Sequence, residues 1–160
     1  MKTLPFLEKL KTLELENVAR KLMSGDNGCS WTEGKTKKAI ARYRRFLYLQ
    51  FLFPEINLSP TKEIDEVWHA HILLDTQRYM QDCLNLYGYI LHHRTNNSTN
   101  ISSHQKTFEQ TKNLFEEVFG MGTFGDVDIQ IAACSDLQIQ FTEVNQVTTK
   151  NMKVKINPYG

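Results

Sequence analysis

The segment from Glu66 to Tyr87 constrains the fold most, because it contains neither proline nor glycine. A stretch without these two residues can continue as one helix without interruption. Upstream, Ser59 and Pro60 favour a helix start, since serine caps helices and proline is tolerated at the first helical position. We therefore predict one long central helix that stops near Gly88 and is largely wrapped by the rest of the protein.

Apolar residues recur at helical spacing in other segments of the chain as well. They predict a first helix from about Pro5 to Met23. A second helix is expected to begin at the N-cap Thr32 and to end before Pro54, because a residue that precedes proline is pushed out of helical geometry. A further helix is predicted from Ser102 to Phe119.

The sequence pattern changes after Gly125, where apolar and polar residues alternate in three segments: Val127–Ile131, Leu137–Phe141 and Met152–Ile156. Alternation with period two is typical of half-buried strands. The predicted fold is mainly α, with a four-helix orthogonal or bundle-like domain over residues 1–122 and a β-prone extension over residues 123–160. We expect the extension to pack on the same domain, or to pair with a protein partner through its strands.

Charge and hydropathy limit the classes of partner. The chain has 160 residues and a net charge of +1, which gives no overall attraction to nucleic acid, so nucleic-acid binding is not expected. There is no apolar run of roughly 18 residues that would span a membrane and no signal-peptide pattern, so a cytoplasmic protein is predicted. A basic stripe on the second helix is either a solvated face or a phosphate-binding surface, and it consists of Lys35, Lys38, Arg42 and Arg45.

The central helix carries two pairs of acid and histidine at i, i+4 spacing: Asp65 with His69, and His71 with Asp75. Side chains four residues apart on a helix are neighbours. A carboxylate that accepts from one imidazole nitrogen leaves the other nitrogen available, which suits a metal ligand or a general base. It equally suits a structural polar contact.

His69 and His71 are two residues apart, so on a regular helix they point in nearly opposite directions and cannot share one ion. A two-histidine site must then recruit a ligand from elsewhere, and His92 and His93 are the candidates because the chain reverses after Gly88. Cys83 is not expected to join His69, since the helix separates them by roughly 21 Å. Zinc or another transition metal is the predicted occupant.

The motif around these histidines resembles the glycine-rich domain-containing protein-like family, a family of unknown function found in bacteria, fungi and plants. The resemblance covers about Leu4 to Gly120, and it is carried by Asp65, Trp68, His69, His71, Asp75, Tyr79, Cys83, His92 and His93. Where the family commonly has a Pro-Tyr-Phe-Gly type of segment, this chain has Arg94-Thr95-Asn96-Asn97. The resemblance implies a common helical fold and a common Asp/Trp/His site, and it implies no reaction.

Three hypotheses for function remain open at this point. The first is a small domain that binds metal through histidines, with Asp65 or Asp75 supporting the ligands. The second is a protein-interaction module without chemistry, in which the Asp/Trp/His motif belongs to the core. The third is a metal-dependent enzyme of unknown substrate, which requires the metal site of the first hypothesis and a pocket beside it.

Overall fold

The computed structural model describes residues 3–26, 28–94 and 101–125. These residues form six α-helices: α1 Thr3–Lys11, α2 Glu16–Met23, α3 Glu33–Leu52, α4 Lys62–Leu74, α5 Thr76–Tyr87 and α6 Ile101–Phe119. No strand occurs within the described ranges, and no helix there combines the length and apolar character that a membrane crossing requires. The chain is therefore mainly α as predicted, and the alternating segments after Gly125 lie outside the described residues.

The predicted count of four helices is wrong, and one reason is a break in the predicted first helix. Arg44 on α3 donates hydrogen bonds to the carbonyl oxygens of Leu10 at 2.8 Å, Lys11 at 3.2 Å and Leu13 at 2.8 Å. A continuing helix would satisfy these carbonyls from its own backbone. The Leu10 carbonyl also accepts from the backbone N–H of Leu13 at 3.3 Å. Because Arg44 supplies further donors to these carbonyls, the chain can turn between α1 and α2 and bury both Leu13 and Leu15.

The predicted single central helix is also wrong, because the chain breaks between α4 and α5. Asp75 lies between them in an extended conformation, with φ −154° and ψ 96°. Its carboxylate accepts from the backbone N–H of Arg78 at 2.9 Å and thereby caps the start of α5. Aspartate is among the preferred N-cap residues because its short side chain reaches these otherwise unpaired donors. No glycine or proline marks this break.

Capping explains where the other helices begin and end. Thr32 is the N-cap of α3 as predicted, and its hydroxyl accepts from the backbone N–H of Lys35 at 3.2 Å. The helix start predicted at Ser59 is wrong, since the N-cap of α4 is Thr61. Gly88 ends α5 with φ +79°, a left-handed conformation that glycine adopts without steric cost.

α3 lies at the centre of the core, where it packs against α1, α2, α4 and α6, while α5 packs against α1 and α4. The largest fully buried side chains include Tyr43, Phe46 and Tyr48 of α3. Phe124, which follows α6, is also buried, and the centre of its ring is 5.1 Å from that of Phe115. This core fixes the inner face of α4 and leaves the opposite face near the surface.

We expect Arg44→Met to lower the free energy of unfolding by about 2 to 3 kcal/mol, because it removes a charged donor from three backbone carbonyls. Urea denaturation of the variant and the wild type measures this difference. Arg20→Met is the matched control, since Arg20 forms an exposed ion pair with Glu16, 3.6 Å apart, and loss of such a pair should leave stability almost unchanged. Equal effects of the two substitutions would contradict the bridging role of Arg44.

Candidate functional site

Asp65 and His69 of α4 meet His93, which lies in the segment that follows α5. The Oδ1 atom of Asp65 is 2.5 Å from Nε2 of His93, and its Oδ2 atom is 3.6 Å from Nδ1 of His69. The two imidazole rings are 4.5 Å apart between centroids. One nitrogen or oxygen atom from each of the three residues lies within 4.8 Å of the others, so this Asp65–His69–His93 cluster could hold a metal ion.

Two separate parts of the chain build this cluster. Asp65 and His69 are one helical turn apart on α4 and therefore share a face. After the left-handed turn at Gly88, residues 88–94, which we call the return segment, bring His93 to that face. The side chain of His93 is 13% exposed, that of Asp65 31% and that of His69 46%, so the cluster is closed on the His93 side and open to solvent on the His69 side.

Only two of the four histidines predicted as ligands belong to the cluster. His92 is exposed and is not part of it, although it is the neighbour of His93 in sequence. His71 is buried elsewhere on α4. His69 and His71 lie in different surroundings, and the histidine that a distant segment brings to the cluster is His93.

His71 belongs to a buried hydrogen-bond chain instead. Its Nδ1 atom is 2.9 Å from the hydroxyl of Tyr43, and its Nε2 atom is 3.1 Å from Oδ2 of Asp82. The predicted His71–Asp75 pair is wrong, because the break between α4 and α5 makes Asp75 a helix cap. Burial lowers the pKa of His71 and outweighs the opposing effect of Asp82. The neutral ring therefore accepts from Tyr43 and donates to Asp82.

Arg78 completes this chain at the surface. Its guanidinium donates to Asp82 at 3.4 Å and to Glu14 at 3.0 Å, which links α5 to the connection between α1 and α2. A cleft of about 880 Å³ opens here, and its wall includes His71, Arg44 and Arg78. No member of the Asp65–His69–His93 cluster lines this cleft, so the buried chain and the cluster are two distinct polar features of α4.

Three further residues of the sequence motif contact the return segment and are not part of the cluster: Trp68, Tyr79 and Cys83. The indole Nε1–H of Trp68 donates to the hydroxyl of Tyr79 at 2.9 Å, and that hydroxyl donates to the carbonyl oxygen of Leu91 at 2.5 Å. The thiol of Cys83 contacts the same Tyr79 hydroxyl and the backbone of Leu91. Burial raises the pKa of both Tyr79 and Cys83, so both keep their protons.

The predicted basic stripe does not form a continuous solvated face. Arg42 is paired with Glu63 at 2.9 Å, and Arg45 is buried with its guanidinium 5.7 Å from the ring centre of Phe119. Lys35 is exposed and lies 4.3 Å from the centre of the Trp31 ring, while Lys38 is half-buried. Two of the four cations are therefore engaged with neighbouring helices.

Sequence reasoning missed Asp82 as a partner of His71, and the pairing of Cys29 with Glu66. The sequence gives no signal for this partner, because Asp82 follows His71 by eleven residues, which on a continuous helix would separate the two by about 16 Å. The Sγ atom of Cys29 donates to Glu66 at 3.2 Å, and burial together with this carboxylate raises the pKa of the thiol. Nothing in the local sequence around Cys29 indicates that contact.

Comparisons with protein-family models, with curated proteins and with solved structures find no match for this chain.

We expect the stability of the protein to fall as the pH drops below about 6.5, the value at which an unfolded histidine titrates. The folded protein holds His71 with a lowered pKa, so in this window the unfolded chain binds more protons and unfolding becomes easier. The stability that comes from holding His71 neutral is fully present above pH 6.5 and is lost progressively as the pH falls toward the lowered pKa of His71 in the folded protein. Denaturation of wild type and of His71→Gln between pH 5 and 8 measures it.

His71→Gln should show a smaller loss of stability over this range than the wild type, because it lacks the titrating ring. His92→Gln is the control, since that side chain is exposed and should leave the wild-type pH dependence in place. A His71→Gln variant with the full wild-type pH dependence would show that another group is responsible.

Proposed function

We propose that this protein binds a divalent transition metal ion, zinc in the first instance, through Asp65, His69 and His93. The observation that carries the proposal is the convergence of these three donors from α4 and the return segment, with one donor atom of each within 4.8 Å of the others. Imidazole nitrogen with carboxylate oxygen is a donor set that zinc, iron and related ions accept.

The distances indicate how a metal would be accommodated. Zinc binds histidine nitrogen and carboxylate oxygen at about 2.0–2.2 Å, which places two tetrahedral ligands roughly 3.3 Å apart. The Asp65 Oδ1 to His93 Nε2 distance of 2.5 Å would then widen, while the longer 3.6 Å distance to His69 would hardly change. His69 is half exposed and has room to rotate.

Three protein ligands leave at least one coordination position for water or an external ligand, as in catalytic zinc sites. Because His69 is the most exposed of the three side chains, we expect that position to face solvent. Membership of the glycine-rich domain-containing protein-like family is part of the same proposal. The histidines and aspartate of the cluster stand at motif positions of that family, and Trp68, Tyr79 and Cys83 support the segment that carries His93.

A second interpretation is that the cluster only joins the return segment to α4 through hydrogen bonds, a role that we call a structural staple. The hydrogen bond between Asp65 and His93 joins the return segment to α4 without any ion, and buried polar groups are normally paired in this way. Under this reading His93→Ala destabilises the fold and no metal binds. The protein would then be an interaction module, as the alternative hypothesis states.

Under the metal proposal we expect the wild type, purified without a tag or chelator, to bind one zinc ion per chain. Asp65→Asn, His69→Ala and His93→Ala should each weaken zinc binding by more than about 100-fold, beyond the loss typical of residues that only support ligands. Isothermal titration of zinc into apoprotein, with elemental analysis of the purified protein, measures both quantities.

His92→Ala is the matched control, because His92 is the sequence neighbour of His93 and lies outside the cluster. It should bind zinc with wild-type affinity. Absence of zinc binding in the wild type, combined with a lower free energy of unfolding in His93→Ala, would reject the metal site in favour of the structural staple.

A further inference from the structure

We propose that Tyr79 is a positioning residue for the metal site, because its hydroxyl fixes the return segment at Leu91 and thereby holds His93 against Asp65. This inference rests on the proposed function. It assigns to Tyr79 a role that is separate from coordination, since its hydroxyl is bonded to Trp68 and Leu91 and is not a member of the cluster.

Tyr79 contacts the backbone close to His93 along the chain. Leu91 stands two residues before His93, in a segment that is not helical. Its carbonyl oxygen accepts from the Tyr79 hydroxyl at 2.5 Å, and Tyr79 is itself buried on α5. The position of the backbone just before His93 is therefore set by a side chain of a packed helix.

The orientation of Tyr79 depends on Trp68. The Trp68 indole donates to the Tyr79 hydroxyl at 2.9 Å, so the hydroxyl proton is directed to Leu91. The same indole packs against the ring of His93 in a T-shaped arrangement, with centroids 4.4 Å apart and an interplanar angle of 66°. Trp68 thus orients both the residue that holds the return segment and the imidazole that the segment carries.

Trp68 also connects the two ligand-bearing parts of the site. Trp68 lies on α4 between Asp65 and His69 in sequence. The hydrogen bonds from Trp68 to Tyr79 and from Tyr79 to Leu91 therefore hold the return segment in position relative to α4, the helix that supplies the other two proposed ligands. A site that is ordered before the ion arrives loses less entropy when it binds. Removal of the Tyr79 hydroxyl leaves the Leu91 carbonyl without this donor and loosens His93.

Tyr79→Phe tests the proposal, with Tyr87→Phe as the matched control. Both substitutions remove a buried hydroxyl of α5 that donates to a backbone carbonyl, since Tyr87 donates to Leu47 on α3 at 2.7 Å. We expect Tyr79→Phe to bind zinc roughly 10- to 100-fold more weakly than the wild type, the range seen when a residue that orients a ligand is lost. Tyr87→Phe should bind zinc with wild-type affinity.

Two further measurements distinguish a positioning role of Tyr79 from a general loss of protein stability. The free energy of unfolding of the apoprotein should fall in both variants and should fall further in Tyr79→Phe, because the Tyr79 hydroxyl is bonded to both Trp68 and Leu91 whereas that of Tyr87 is bonded to Leu47. Cobalt(II) bound to the wild type reports the ligand geometry through its visible absorption, and this spectrum should change in Tyr79→Phe and not in Tyr87→Phe. Should Tyr79→Phe fail to fold, Trp68→Phe removes the donor to Tyr79 and should weaken zinc binding in the same direction.

The outcomes distinguish this inference from the proposed function. If Tyr79→Phe binds zinc as tightly as the wild type, or if both tyrosine variants lose affinity equally, Tyr79 is not a positioning residue although the metal site stands. If the wild type binds neither zinc nor cobalt, the proposed function fails, and the positioning role of Tyr79 fails with it.

Discussion

The reversal of the chain at Asp75 is the constraint on which the rest of the structure depends. On a continuous helix two residues eleven positions apart are about 16 Å apart along the axis. Here the Trp68 indole is 2.9 Å from the Tyr79 hydroxyl, and His71 is 3.1 Å from Asp82. Both pairs span the same interval, so both exist only because α5 folds back on α4.

This reversal places the polar side chains of α4 in two different settings. His71 faces inward, where Tyr43 and Asp82 use both of its ring nitrogens and neither remains for an ion. His69 faces outward, where Asp65 and His93 leave it half exposed. Two histidines of one short motif therefore have separate roles, one in holding helices together and one in a site open to solvent.

Sequence patterns predicted the elements that depend on local physics. Thr32 caps α3, and Gly88 ends α5, because capping and left-handed geometry are properties of single residues. The partnership of Asp65 with His69 also follows from helical spacing alone. The reversal after Gly88 indicated that a histidine of the return segment would reach α4, but only the contact with Asp65 identifies it as His93 rather than His92.

The features that sequence did not predict arise from tertiary contacts. The break after α1 depends on Arg44, which lies on a different helix and satisfies three carbonyls there. The break at Asp75 lacks glycine and proline, and beyond it α5 packs on α1 and α4. The helix propensity of the residues at the two breaks reflects neither the hydrogen bonds from Arg44 nor the packing of α5 on its neighbours.

The most direct test of the account follows the imidazole nitrogens by NMR in the ¹⁵N-labelled apoprotein as zinc is added. We expect the ring signals of His69 and His93 to shift in step up to one equivalent of zinc, while those of His71 and His92 stay in place. His71 should show a proton on Nε2 throughout, as its bonds to Tyr43 and Asp82 require. Unchanged signals for His69 and His93, or a shift of His71 instead, would contradict the proposed metal site.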